Sequence, residues 1–365
     1  MALTSLATHR APSAPERRSP RAPRRLRTYT LDDWLCLLGA LLSSLALVVI
    51  GYDHILDLSG MLGFGLCWYA IFLLVYGALV AQANPRYIVV ERLVTATLYL
   101  AAAVVVFALA TTVVYTFGQG WRAFVHSNFF THDMAGVTPT ATLDHGGIRA
   151  AVVGTVIEVG LAVLVSVPLG IGTAVFMTEV GGRGTRLVRT VVESMTALPE
   201  ILAGLFVYVA LVVELGMPKS GLAVSVAMAV TMVPIIARAG EVALRVVPNG
   251  LREAAEALGA THWKTVARVV LPSARAGLAT ATILAIARGI GETAVPLILS
   301  GASSFTTYNP LQVMNSLPLY IYTAFTTHEP AALIRAFGAA SVLLAMVLVL
   351  FVVIRLLLRD RAVRR

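Results

Sequence analysis

The chain has 365 residues, of which 58% are hydrophobic and 13% charged. Soluble domains carry roughly 25% charged residues, so the composition argues against a water-soluble globular fold and makes the membrane span the unit of organisation. A formal net charge of +9 would point to nucleic acid or another acidic partner if it formed one patch, so its placement along the chain decides its meaning.

In chain order, residues 1–32 are rich in Pro, Ala, Ser and Arg without apolar periodicity, and read as a disordered basic cytoplasmic tail. The tail is too proline-rich for an ordinary signal peptide. No small-residue cleavage site follows the first apolar run at Gly51-Tyr52-Asp53-His54, so that run reads as a signal anchor. Eight stretches have the ~20 apolar residues needed to cross ~30 Å of hydrocarbon as helix. They lie near 33–52, 61–81, 93–117, 150–177, 191–216, 220–238, 276–300 and 332–358. The fifth holds Pro199 and Glu200 and is expected to bend or break at its start. Both cysteines, Cys36 and Cys67, fall inside apolar runs and form neither a disulfide framework nor a CxxC site.

Eight spans place both termini on one side. That side collects most of the Lys and Arg, from Arg10 to Arg27 in the tail, the connectors near 82–92 and 178–190, the segment from Arg238 to Arg275, and the five arginines after Ile354. The opposite side holds Arg122, Arg149 and Lys219. This is a positive-inside pattern, which assigns both termini to the cytoplasm, accounts for the net charge and removes the case for nucleic acid. The tail arginines also suit contact with anionic membrane lipid. On the outside, residues 118–149 and 301–331 are polar and long enough to shape a vestibule.

Residues 238–275 are more than a connector. Pro248-Asn249-Gly250 opens a short helix over 251–258 that Gly259 closes, and Thr261 starts a second one that Pro272 is expected to end. Small Ala254, Ala255 and Ala257, with Glu253 and Glu256 for charge contacts, suit either docking on another protein or lying on the membrane surface. Glu253-Ala254-Ala255, Gly259, Val269, Leu271 and Pro272 resemble the EAA loop of binding-protein-dependent ABC importers, with Val269 in place of the usual Ile. The resemblance implies a coupling helix, within a loop spanning 241–274, that seats Glu253, Ala254, Ala255, Gly259 and Ala260 on a separate ATPase subunit. Neither Lys219-Ser220 nor Lys264-Thr265 follows a phosphate-cradling glycine, so the chain carries no Walker A of its own.

Arg288 and Glu292 lie four apart in the seventh span and are expected to share a helical face. Two lipid-facing charges would cost about 5–7 kcal/mol, so they should face a partner helix or an aqueous path, as a packing salt bridge or as part of a substrate route. A guanidinium fork fits a tetrahedral oxyanion. A carboxylate beside it favours an anion that brings a proton, such as hydrogen phosphate, over sulfate.

The run from Arg288 through Glu292 and Thr293 to Pro296, with Thr231 to Arg238 before the EAA loop and Asn309-Pro310 and Leu317 to Tyr322 outside, resembles the permeases of Pst-type phosphate importers, in particular the PstA-like subunit. The resemblance covers roughly residues 93–358. It implies an all-α polytopic inner-membrane permease core there, with Arg288, Glu292, Thr293 and Arg238 on the substrate path, although snorkelling would equally explain Arg238. It further implies a PstC-like permease partner, a PstB-like ATPase dimer that uses ATP and magnesium, and an extracytoplasmic phosphate-binding protein. No cofactor and no enzymatic activity belong to this chain itself. Permeases for sulfate, molybdate or phosphonate share the architecture, and an ATP-independent anion carrier or channel is the rival of another class.

The usual six spans leave residues 33–92 as an accessory pair with its connector. His126, His132, Asp133, Asp144 and His145 match no ligand spacing and read as loop polarity. Glu158 and Glu200 are expected to pair with an arginine such as Arg335.

Overall fold

The computed structural model describes residues 31–55 and 60–359. The tail assigned to 1–32 lies, but for its last two residues, outside the described residues, as does the C-terminal tail at 359–365 beyond Arg359. The described chain is all helical: α1 (Leu31–Val49), α2 (Met61–Ala83), α3 (Arg86–Phe124), α4 (Asn128–Thr131), α5 (Arg149–Val175), α6 (Arg183–Thr196), α7 (Glu200–Val207), α8 (Gly221–Arg245), α9 (Asn249–Ala257), α10 (His262–Thr265), α11 (Leu271–Ile290), α12 (Ala294–Leu299), α13 (Leu317–Thr326) and α14 (Pro330–Arg359). Wider π-helical turns follow α1, α5, α7 and α10.

Seven helices among the described residues are long and apolar enough to cross a membrane. The expected fifth span is instead a pair, Arg183–Thr196 and Glu200–Glu214, bent by 102°. The break falls where Pro199 removes a backbone donor and forces its predecessor out of helical geometry. The protein is thus a multi-pass membrane protein. Its outward faces carry the apolar side chains that lipid requires, among them Leu164 and Phe206, both 72% exposed.

Two expected boundaries need correction. Pro272 does not end the helix that begins after Thr261, because the π-helical turn Val266–Val270 leads directly into α11 and carries the helix through it. The chain stays helical over His262–Ile290. The seventh span, in turn, is not one helix over 276–300. It stops at Ile290 and restarts at Ala294, across the glycine-containing step Gly291-Glu292-Thr293.

The chain divides into two compact units, Met1–Phe107 and Ala108–Arg365. The division falls inside α3. In the first unit α1 and α2 pair around Ala40, Tyr76 and Val80, against Phe72 and Leu93. Trp68 donates its indole N–H to Ser44 (3.1 Å), which supplies the partner a buried polar edge needs.

In the second unit α8 is the central helix, packed on α5, α11, α6, α7 and α12. Its core sets small Ala162, Ala223 and Ala227 among Met228, Met232, Ile236 and Leu299. Small residues let helix backbones approach in a membrane, where packing rather than water drives association. A Cβ at Gly170 would lie 2.6 Å from Ile236, and one at Gly154 would lie 1.8 Å from the Asn315 carbonyl oxygen.

Candidate functional site

The break after α11 builds a polar site within the membrane-spanning part. The amide of Gly291 bonds the Arg288 carbonyl and that of Glu292 bonds the Gly289 carbonyl, each at 3.2 Å, which closes the helix. Beyond this turn Glu292 no longer shares a helical face with Arg288, so the expected four-residue pairing does not form. The Glu292 carboxylate instead accepts from the amides of Ala294 (2.9 Å) and Val295 (3.4 Å), satisfying free N–H groups at the start of α12. Thr293 heads that helix, its hydroxyl 3.5 Å from the Gly291 carbonyl. Glu292 is 8% exposed.

The partner of Arg288 is Glu200. Both Nε and Nη2 of the guanidinium address the same oxygen, Oε1. Glu200 opens α7 directly after the 102° bend, so the proline that breaks the span also delivers its acid to the end of α11. The Glu200 carboxylate also lies beside that of Glu292. Arg288, Glu200, Glu292 and Thr293 therefore form one group. Sequence flagged Glu200 as a charge in an apolar run but could not give it this partner.

The expectation that Arg335 would hold Glu158 or Glu200 fails. Arg335 is 1% exposed and donates through Nη2 to the carbonyls of Ala141, Thr142 and His145, pinning the 138–145 loop. Glu158, buried in α5, accepts from Ser300 at 2.9 Å. Both long-range choices depend on helix order around the bundle, which local sequence does not contain.

Arg238 lies in the last turns of α8 and is held by two carboxylates, Glu241 at 3.1 Å and Glu193 of α6 at 3.2 Å. Glu241 is buried and also receives Arg189 and Arg245, each at 2.7 Å. An open groove lined by Arg189, Arg238, Glu241 and Arg245 results. Arg238 is thus held by ion pairs near the end of its span.

The short helix expected over 251–258 is α9, with no buried residue. Glu253, Ala254 and Gly259 are exposed, Ala255 and Ala260 half-buried, and Leu258 is 89% exposed. Gly259 closes the helix at φ +83°, a conformation that favours glycine, with the Ala260 amide bonding the Ala255 carbonyl at 3.1 Å. What docks α9 on the bundle was not legible in sequence. Arg252 reaches Glu179, at the end of the fourth expected span, through Nη2 (2.8 Å) and Nε (3.3 Å), and also bonds the Val247 and Leu244 carbonyls.

The polar segments 118–149 and 301–331 are stitched together by Asp133. It accepts from the Thr306 amide (2.9 Å), the Thr306 hydroxyl (3.0 Å) and the Ala135 amide (3.2 Å). Burial opposes its ionisation, but these hydrogen bonds outweigh it and hold the carboxyl below the usual carboxylate range. His126 faces Asp144 at 3.4 Å. Among the described residues no group of three or more His, Cys, Asp or Glu is placed to hold a metal ion.

Residues 166–365 match the protein family described as binding-protein-dependent transport system inner membrane component. Over 231 residues the chain is 41% identical to a Mycobacterium tuberculosis protein named phosphate transport system permease protein PstA 1, a match covering 63% of this chain and 75% of that one. A Mycobacterium leprae protein named phosphate transport system permease protein PstA is 38% identical over 231 residues, covering 63% and 75%. Among solved structures, a chain of the MetNI methionine ABC transporter in an inward-facing conformation aligns with a TM-score of 0.46 and 21% identity, over 59% of this chain and 94% of that chain.

Proposed function

This chain belongs to the family of binding-protein-dependent transport system inner membrane components, and we propose that within it the chain is a PstA-like permease subunit that passes phosphate. The observation that carries this reading is its 41% identity to a phosphate transport permease over three quarters of that relative's length. The geometry adds chemical support, because a guanidinium fork stands at the α11–α12 break, where a tetrahedral oxyanion could be gripped by two donors at once.

In this reading Arg288 receives the anion, with Glu292 and Thr293 beside it, and Arg238 offers a second positive station. The exposed α9 is the coupling helix, presenting Glu253, Ala254, Ala255, Gly259 and Ala260 to an ATPase. The ATPase pair binds ATP and magnesium and hydrolyses the nucleotide, so this chain is a non-enzymatic subunit. A PstC-like permease completes the path, and a phosphate-binding protein docks outside on the segments that Asp133 joins. The membrane is the bacterial inner membrane with both termini in the cytoplasm, as the lysine and arginine asymmetry supports. The six-span core extends over 93–358 and the spans within 33–92 are an accessory pair.

The test is uptake of labelled phosphate into proteoliposomes holding the chain, its permease partner and the ATPase, with binding protein outside and ATP inside. Arg288→Ala and Glu253→Lys should each abolish uptake, and excess sulfate should not compete. Uptake without ATP would replace this reading with an anion carrier or channel, and competition by sulfate would change the substrate.

A further inference from the structure

We infer that Glu200 is a built-in counter-anion of the path, holding the place on Arg288 that a transported oxyanion must take. The inference rests on the phosphate-permease reading and adds to it a residue that sets how firmly the path holds its anion.

Three observations carry it. Glu200 engages Nε and Nη2 together, and that edge is the pair of parallel donors by which arginine grips carboxylates and phosphates. The carboxylate therefore sits where an oxyanion would sit. The pair is also open rather than sealed within this chain, with side-chain exposures of 59% for Arg288 and 28% for Glu200.

The third observation is where the carboxylate comes from. Glu200 lies just after the bend between α6 and α7, and Glu193, just before that bend, engages Arg238 at 3.2 Å. One bent element thus places a carboxylate on each arginine expected to serve the path. Arg238 also shares the buried Glu241 of α8 with Arg189 and Arg245, neither of which receives a carboxylate from the bent element. A bare guanidinium among apolar spans is costly. Glu200 spares the empty path that cost, and an incoming anion replaces one negative partner with another.

The experiment titrates inorganic phosphate against the purified, nucleotide-free complex of both permeases and the ATPase, reading the saturation midpoint from the phosphorus NMR linewidth. Removing competition at an exposed ion pair should tighten binding in Glu200→Gln roughly two- to fivefold. That gain should vanish when Arg288→Gln is added. If Glu200→Gln does not assemble, Glu200→Asp, which withdraws the carboxylate by one methylene, should move the midpoint the same way. A midpoint unmoved or weakened in an assembled variant, or a gain that survives loss of Arg288, overturns the inference and leaves Glu200 a structural strut. Phosphate uptake by the native complex separates the two readings. Native uptake with an unmoved midpoint sinks this inference alone, whereas absence of native uptake overturns the permease reading beneath it.

Discussion

Replacing Arg252 by methionine should release α9 from the bundle without unfolding the bundle. Arg252 and Glu179 are 18% and 4% exposed at their side chains, so the pair is mostly dry. Breaking a buried pair by deleting one partner costs about 3–5 kcal/mol, because the other charge is stranded. The remaining exposure of Arg252 discounts this to roughly 2 kcal/mol through solvent screening. Since α9 buries no residue of its own, that cost falls on local docking rather than on global stability. A difference of ~2 kcal/mol corresponds to about thirtyfold faster amide exchange when opening limits exchange. Hydrogen exchange over residues 251–260 of the Arg252→Met complex is the assay, with ATPase stimulation by the binding protein read in parallel. Adding Glu179→Gln should recover part of the protection, as the stranded charge disappears. Unchanged exchange in Arg252→Met, or an equal loss of protection throughout α8, would show that the helix is moored elsewhere, as by His262, which faces Glu256 at 3.4 Å and the Glu179 carbonyl at 3.0 Å.

Three further outcomes follow from the geometry. The folded pKa of Asp133 lies below its unfolded value of about 3.9, so its tie between the two polar segments is fully present above that pH and is lost as pH falls through the lower folded value; proteolysis at residues 133–145 should rise only below about pH 4, and Asp133→Asn should be cut readily at neutral pH. Gly154→Ala would drive a methyl to 1.8 Å from a backbone oxygen, so thermal unfolding in detergent should show a loss of about 1–3 kcal/mol or more, and a neutral result would mean that α5 and the Asn315 segment are not in contact. Gly259→Ala must hold φ +83° with a Cβ, which costs about 1–2 kcal/mol and should fray the end of α9 in the same exchange experiment without shifting the melting temperature of the bundle.

The spans are legible in sequence because hydrocarbon imposes a length and a composition that few other structures share, and the bend at Pro199 is legible because proline acts locally. The α9 helix is legible for the same reason, since Pro248 and Gly259 punctuate it at both ends. What could not be read is every contact that depends on which helices are neighbours. Arg288 and Glu292 share a helical face in sequence because spacing is the only geometry a sequence provides, and two glycines and a cap undo that spacing. Arg335 is the clearest lesson. A buried arginine suggests an acid, yet three carbonyls of a loop nearly two hundred positions away satisfy it instead.

The helix that continues from Arg149 to Val180 has a mechanical consequence. Its 32 residues at 1.5 Å each make a rod of about 48 Å. One end carries Glu179, the mooring point of α9. At the other, the Ile148 amide is fixed to the Phe129 carbonyl at 2.8 Å and Arg149 reaches Tyr308 at 3.0 Å. A single connecting rod therefore joins the exposed short helix to the polar segments on the far side of the bundle. Its bonding ladder changes at Pro168 and again at the π-helical turn Phe176–Val180, and these are the places where an axial load on the rod would turn into bending.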